Sequence, residues 1–117
     1  MASRRAGEQR HAEVADETEG LANLKRSYRA AFLRYLPRRE ESALATGYEL
    51  GRSAVVSGVS ILDLARLHHD VFLEILHDTP SDELSRVAAA ASEFFLEVLA
   101  TYDMVQRQLL EARTRES

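Results

Sequence analysis

"LSRVAAAASEFFLEVLATYDMVQRQLL", residues 84–110, decides the fold. Leu84, Ala88, Ala91, Phe95, Val98, Tyr102, Val105 and Leu109 follow one another at steps of four and three without a break. That period sets all eight on one side of an α-helix, and an apolar seam sustained over more than three heptads predicts an extended helix. From about residue 81 to about residue 114 it would measure about 50 Å, twice the roughly 25 Å of the two helices expected before it. Its far half therefore outreaches the bundle that supports its near half. Val105, Leu109, Leu110 and Ala112 then need cover, from a second copy of the chain or a coiled-coil linker.

The segments upstream carry the same period. Leu21, Leu24, Tyr28, Ala31, Phe32 and Tyr35 predict a first helix, ended by Pro37. In a second, Leu44, Tyr48, Gly51 and Val55 share a side, and Gly58 is the expected stop. Gly47 and Gly51 each cost a helix interior about 1 kcal/mol relative to Ala, so small residues at that spacing point to a close backbone neighbour. A third helix opens at Ser60, whose hydroxyl can cap the free amides, with Asp63 in its first turn. Its expected apolar face is Ile61, Leu64, Ala65, His68, Phe72 and Ile75. Pro80 begins the last segment, with Thr79 or Ser81 as its cap. No strand-like alternation or hairpin turn intervenes, which makes the fold class all-α: an antiparallel four-helix bundle with an extended C-terminal helix.

Composition bounds the function. A chain of 117 residues has room for one domain; residues 1–20 lack periodic apolar positions and read as a flexible tail, leaving 21–117 as the helical domain. With no cysteine there is no disulfide framework, thiolate metal site or cysteine nucleophile. No signal-peptide core or membrane-length apolar run is present, so a cytoplasmic protein without membrane contact is expected. The net charge of −4 conceals a division. Residues 21–40 carry Lys25, Arg26, Arg29, Arg34, Arg38 and Arg39 against Glu40 alone, while 41–117 carry six arginines against thirteen acidic groups. Mutual neutralisation within the fold or a dimer accounts for this, the alternative being a docking patch for an acidic partner.

Chemical readings find little to hold. Glu74 and His77 have the Glu-x-x-His spacing of di-iron carboxylate bundles, but that site needs a second such pair and two further glutamates. No zinc motif, phosphate loop or nucleophile elbow occurs, so no catalytic residue, metal ligand or cofactor is assigned and the chain is read as a non-enzyme. A helix-turn-helix DNA binder would read bases with a helix carrying Asp63, Asp70, Glu74 and Asp78 against Arg66, which phosphates repel. A small helical nucleic-acid-binding protein remains the alternative function. His68 lies on the third helix's apolar stripe as a core histidine with one hydrogen-bonded ring nitrogen, and His69 points about 100° away.

"YRAAFLRYL" (28–36), "YELGRSAVVSGVSILDLARLHHDVF" (48–72) and "EFFLEVLATYDMVQRQLLEAR" (93–113) resemble, in that order, the N-terminal regulatory domain of RsbU-type phosphatases. The similarity spans about residues 24–113, its most specific parts being Leu64-x-x-Leu67-His68-His69 and Glu97-x-x-x-x-Tyr102-x-Met104. It implies a small all-α domain of bacterial stress-response partner switching. Such a domain dimerises and binds an RsbT-like switch kinase, turning on a C-terminal serine phosphatase that acts on an anti-anti-sigma factor. This sequence carries no phosphatase domain, being either an excised regulatory module or a free-standing relative. The partner-facing positions implied are Ala45 and Tyr48 on the second helix and Leu96 and Ala100 on the fourth; Phe95, Tyr102, Val105 and Leu109 are the candidate homodimer contacts.

Overall fold

The computed structural model describes the backbone of residues 20–116. The tail expected over residues 1–20 lies outside them except for Gly20, which is already helical. All regular structure among the described residues is helical: α1 (residues 20–35), α2 (Glu41–Val56), α3 (Ile61–His77) and α4 (Leu84–Glu116), with a 3-10 turn at Ser81–Glu83 leading into α4. The result is a four-helix bundle whose last helix is its longest.

Local chemistry sets the boundaries. The Ser60 hydroxyl accepts from the Asp63 amide at 3.1 Å and starts α3 as expected. Gly58, at φ +75°, ends α2 in the left-handed region that lacks a penalty only for glycine. The turn between α1 and α2 uses a costlier residue for the same purpose, since Arg39 stands at φ 51° while its N–H caps the Tyr35 carbonyl at 2.8 Å. Its side chain explains the choice. Arg39 donates to the Arg86 carbonyl at 2.9 Å and meets Glu93 at 3.5 Å, while Arg86 donates back to the Leu36 carbonyl at 3.0 Å. At α3's other end the expected cap is reassigned: the Thr79 hydroxyl donates backward to the Ile75 carbonyl at 2.6 Å, closing α3 rather than opening α4.

These ties fix the topology. The α1–α2 turn is held against α4 near Arg86, and the α2–α3 turn against Tyr102, whose hydroxyl donates to the Val59 carbonyl at 2.7 Å. Consecutive helices are therefore antiparallel, and α2 runs in the same direction as α4. A Cβ on Gly51 would lie 2.5 Å from the Val98 carbonyl oxygen and 2.9 Å from Thr101 Cβ; one on Gly47 would lie 3.3 Å from the Phe94 ring. The two glycines mark the close approach that their spacing predicted.

The core corrects three of the predicted faces by about one position. On α4 the buried line is Val87, Ala91, Phe94, Val98 and Tyr102, whereas Leu84 and Ala88 are exposed and Phe95 is half-buried. Both lines have steps of three and four, so periodicity alone could not choose between them. On α2 the buried face is Ala43, Gly47, Leu50, Gly51 and Ala54, with Leu44, Tyr48 and Val55 only half-buried. Close backbones require small residues there, and an apolar pattern weights large ones. On α3 the buried line is Leu64, Leu67, Val71 and Ile75; Ala65, His68 and Phe72 are half-buried and Ile61 is exposed. The first helix is as predicted, with Leu24, Tyr28, Ala31, Phe32 and Tyr35 all buried.

Candidate functional site

Histidine chemistry is the first candidate, and its surroundings settle what it can do. The His68 ring stacks on Phe95 at 3.9 Å between centroids and 5° between planes, and on Phe72 at 5.8 Å. Its Nδ1 shares a hydrogen bond with the Tyr28 hydroxyl. Tyr28 itself packs edge-on against Phe94 at 5.2 Å. Burial removes water from the imidazolium and the adjacent His69 adds repulsion, so His68's pKa falls to about 4. Burial likewise raises Tyr28's pKa. A neutral imidazole stacked on Phe95 and bonded to Tyr28 links α1, α3 and α4; the bonded nitrogen is as the sequence suggested, while the ring is half-buried beside the core rather than in it. His69 is exposed.

Glu74, half of the Glu-x-x-His pair, belongs to an ionic seam. It lies 3.1 Å from Arg29 and 3.7 Å from Lys25, which also reaches Asp70 at 3.9 Å. Among the described residues, no three histidine, aspartate or glutamate side chains gather as a metal site. Tyr35 donates to Glu93 at 2.8 Å, and burial followed by that carboxylate raises the phenol's pKa. Lys25, Arg29, Arg38 and Arg39 thus each meet a carboxylate of the same chain. Four of the six basic residues over 21–40 are therefore paired within the chain, Lys25 and Arg29 on α1 and Arg38 and Arg39 in the turn after it.

A cleft of about 290 Å³ lies between α1 and α2, lined by Leu24, Leu50 and Val59 and by the hydroxyls of Ser27, Ser53 and Ser57. Among the described residues its lining is apolar and hydroxyl-bearing, with no ionisable side chain.

The remaining candidates are surfaces. Leu96 is 62 % exposed and Ala100 is exposed with it. Each stands two residues from a buried one, Phe94 and Val98, and hence about 200° around the helix from it. They form an outward strip on α4. Ala45 is exposed and Tyr48 half-buried on α2, beside the glycine that meets α4. The four positions therefore make two pairs, one per helix. Of the four dimer candidates, Tyr102 is covered within its own chain at 4 % exposure and Phe95 is the ring that stacks on His68. Val105 is half-buried and Leu109 is 48 % exposed. Beyond Tyr102, α4 continues to Glu116 with Met104, Leu109 and Leu110 all uncovered. Its 33 residues make a rod of about 50 Å, against about 26 Å for the 17 of α3.

Two features escaped the sequence reading. Phe94, fully buried among Tyr28, Phe32 and Tyr35, is the central ring of the core; the line Val87, Ala91, Phe94, Val98 was the signal for it. The reciprocal Arg39 and Arg86 contacts to backbone carbonyls leave no mark in a sequence. No helix among the described residues is long and apolar enough to cross a membrane.

A family model described as "Phosphoserine phosphatase RsbU, N-terminal domain" matches residues 26–105, more than half of the chain. No curated protein and no solved structure matches it. The matched residues take in α2, α3 and the bundled part of α4, and stop where the rod leaves the bundle.

Proposed function

The chain belongs to the family of RsbU N-terminal domains, regulatory rather than catalytic units, and we propose from this that it receives an RsbT-like switch kinase and passes that event along α4 to a serine phosphatase output. In this reading it is a cytoplasmic homodimer of the stress-response partner-switching type. The kinase docks on Leu96 and Ala100 of α4 and on Ala45 and Tyr48 of α2. The subunits meet along the rod, at Val105 and Leu109.

The family match carries the reading, and the surfaces support it. Leu96 is a large apolar side chain left 62 % exposed, and an uncovered apolar strip on a rigid helix is what a partner's groove or helix can use. The rod supports transmission, because a continuous helix carries a displacement at Leu96 to Leu109 without an intervening joint. Binding of nucleic acid is disfavoured by the ion pairs that occupy Lys25, Arg29, Arg38 and Arg39.

Titration calorimetry with an RsbT-like kinase tests the reading. A saturable complex that Leu96→Asp weakens by tenfold or more, with helix content unchanged, is the expected result. No heat of binding at tens of micromolar kinase, or equal affinity for both forms, overturns it.

A further inference from the structure

Glu97 is the one carboxylate that the fold treats unlike the others. Of the acidic side chains described, all are exposed except Glu97, which is half-buried. Half-burial strips water from a charge, and elsewhere the chain offsets that loss: Lys25, likewise half-buried, meets both Asp70 and Glu74. Glu97 has no such offset. Its backbone carbonyl accepts from the Thr101 hydroxyl at 3.0 Å, but among the described residues no donor or cation meets its carboxylate. Between Arg86 and Arg107, α4 carries Glu93, Glu97 and Asp103 and no lysine, arginine or histidine. Glu93 already holds Tyr35 and Arg39, and Asp103 holds Arg107 at 3.2 Å.

Its place on α4 puts this charge on a border. Phe94 lies against Gly47 and Thr101 against Gly51, and both stand on one side of Glu97, about 60° and 40° round the helix. Glu97 therefore edges the α2–α4 contact. Met104, Ala100 and Leu96 stand on the other side, about 20°, 60° and 100° away in turn. Leu96 is 62 % and Met104 41 % exposed. The partly desolvated carboxylate is thus the inner edge of an uncovered apolar strip.

We propose that Glu97 is the charged anchor of this strip, and that the partner surface seated on Leu96, Ala100 and Met104 carries an arginine or lysine that pairs with it. The inference rests on the reading of the strip as the kinase's docking site and adds what that partner brings. Charge complementarity selects the occupant. A purely apolar surface closing over the strip would remove the remaining water from an unpaired carboxylate, and an acidic one would add repulsion, so both are disfavoured. A cation set beside an apolar contact is favoured instead, because exclusion of water strengthens the pair. An arginine fork can meet both carboxylate oxygens at once. The apolar strip supplies affinity, and Glu97 decides which apolar surface is accepted.

Calorimetric titration of the full chain with an RsbT-like kinase, at about 50 mM and about 300 mM salt, tests this. Glu97→Gln keeps the shape and removes the charge, and Glu97→Leu extends the apolar strip. Asp82→Asn removes an equal charge about 20 Å away along the axis. At low salt the kinase should bind Glu97→Gln and Glu97→Leu about tenfold more weakly than the parent, with the gap narrowing at high salt, and Asp82→Asn within about twofold of the parent. The melting temperature of free Glu97→Gln should equal or exceed the parent's, because the carboxylate holds nothing in its own fold. A lower melting temperature makes Glu97 part of the fold, and parental affinity, or tighter binding of Glu97→Leu, makes the strip purely apolar; each result overturns the proposal. It falls alone where Leu96→Asp still weakens the complex. Where the parent forms no complex with the kinase, the docking reading falls and takes the proposal with it.

Discussion

Gly51→Ala and Gly47→Ala are the same chemical change one helical turn apart, and the structure gives them unequal outcomes. In a helix interior the exchange by itself stabilises by about 1 kcal/mol, because alanine has less backbone freedom to lose. At Gly51 the new methyl would stand 2.5 Å from the Val98 carbonyl oxygen and 2.9 Å from Thr101 Cβ, and backbone cannot step aside as a side chain can. α2 and α4 would have to part along their whole contact. Overpacking costs typically 1–3 kcal/mol, and a clash with backbone belongs at the upper end. The expected net loss is about 2 kcal/mol, which lowers the melting temperature of a domain this size by several degrees. At Gly47 the nearest atom is the edge of the Phe94 ring at 3.3 Å, which can yield by a few tenths of an ångström. The two terms then nearly cancel, leaving a change within about 0.5 kcal/mol. Urea denaturation followed by circular dichroism reads both. Gly51→Ala as stable as the parent, or Gly47→Ala the more damaging of the two, refutes the close parallel packing of α2 on α4.

Three further outcomes are expected. Neutral His68 is favoured by the fold, its pKa lying near 4 against an ordinary 6.5, so an unfolded chain takes up the proton first as pH falls. The stability it protects is complete above about pH 6.5 and declines toward pH 4, by about 1–2 kcal/mol once discounted for the ring's partial exposure. His68→Gln, compared with the parent by denaturation at pH 7 and pH 5, should remove that slope, and parallel curves for both forms would contradict the assignment. Val105→Asp and Leu109→Asp each set a charge on the apolar stripe of the rod, which should weaken self-association at least tenfold by light scattering while the melting transition of the bundle is kept, any loss of helix signal being confined to the rod residues 103–116. Leu96→Asp should leave the denaturation midpoint within about 0.5 kcal/mol of the parent, as exposed substitutions do, and a larger loss would place Leu96 in the core.

How much was legible in the sequence depended on what each helix packs against. α1 lies on the core along one stripe, and its six predicted apolar positions are the ones that face inward, Leu21 half-buried at the edge. α4 meets three helices, so its buried arc is broad and two lines of equal spacing compete; Phe94 won over Phe95 because Gly47 opens the space its ring occupies. α2 hid its face behind small residues, yet the pair Gly47 and Gly51 announced the close neighbour. α3 showed one period while carrying two apolar lines, and the predicted face was a blend of both. Caps were readable where one hydroxyl meets one amide, as at Ser60, and unreadable where long side chains reach across the fold, as between Arg39 and Arg86. The surface positions Ala45, Tyr48, Leu96 and Ala100 came from resemblance alone, since exposure to a partner has no period of its own.

The rod beyond Tyr102 is where the account is most exposed to test. The 14 residues beyond Tyr102 extend a helix that the bundle has already nucleated, so propagation alone holds them and they fray wherever nothing packs on their apolar stripe. Amide hydrogen exchange over residues 103–116, measured across a dilution series, reads its cover directly. Slow exchange is expected at concentrations where the chain self-associates, rising toward the unprotected rate on dilution while the α4 amides around Val98 stay protected. Fast exchange in the rod at every concentration, or protection that dilution leaves unchanged, would contradict the claim that a second copy shelters it.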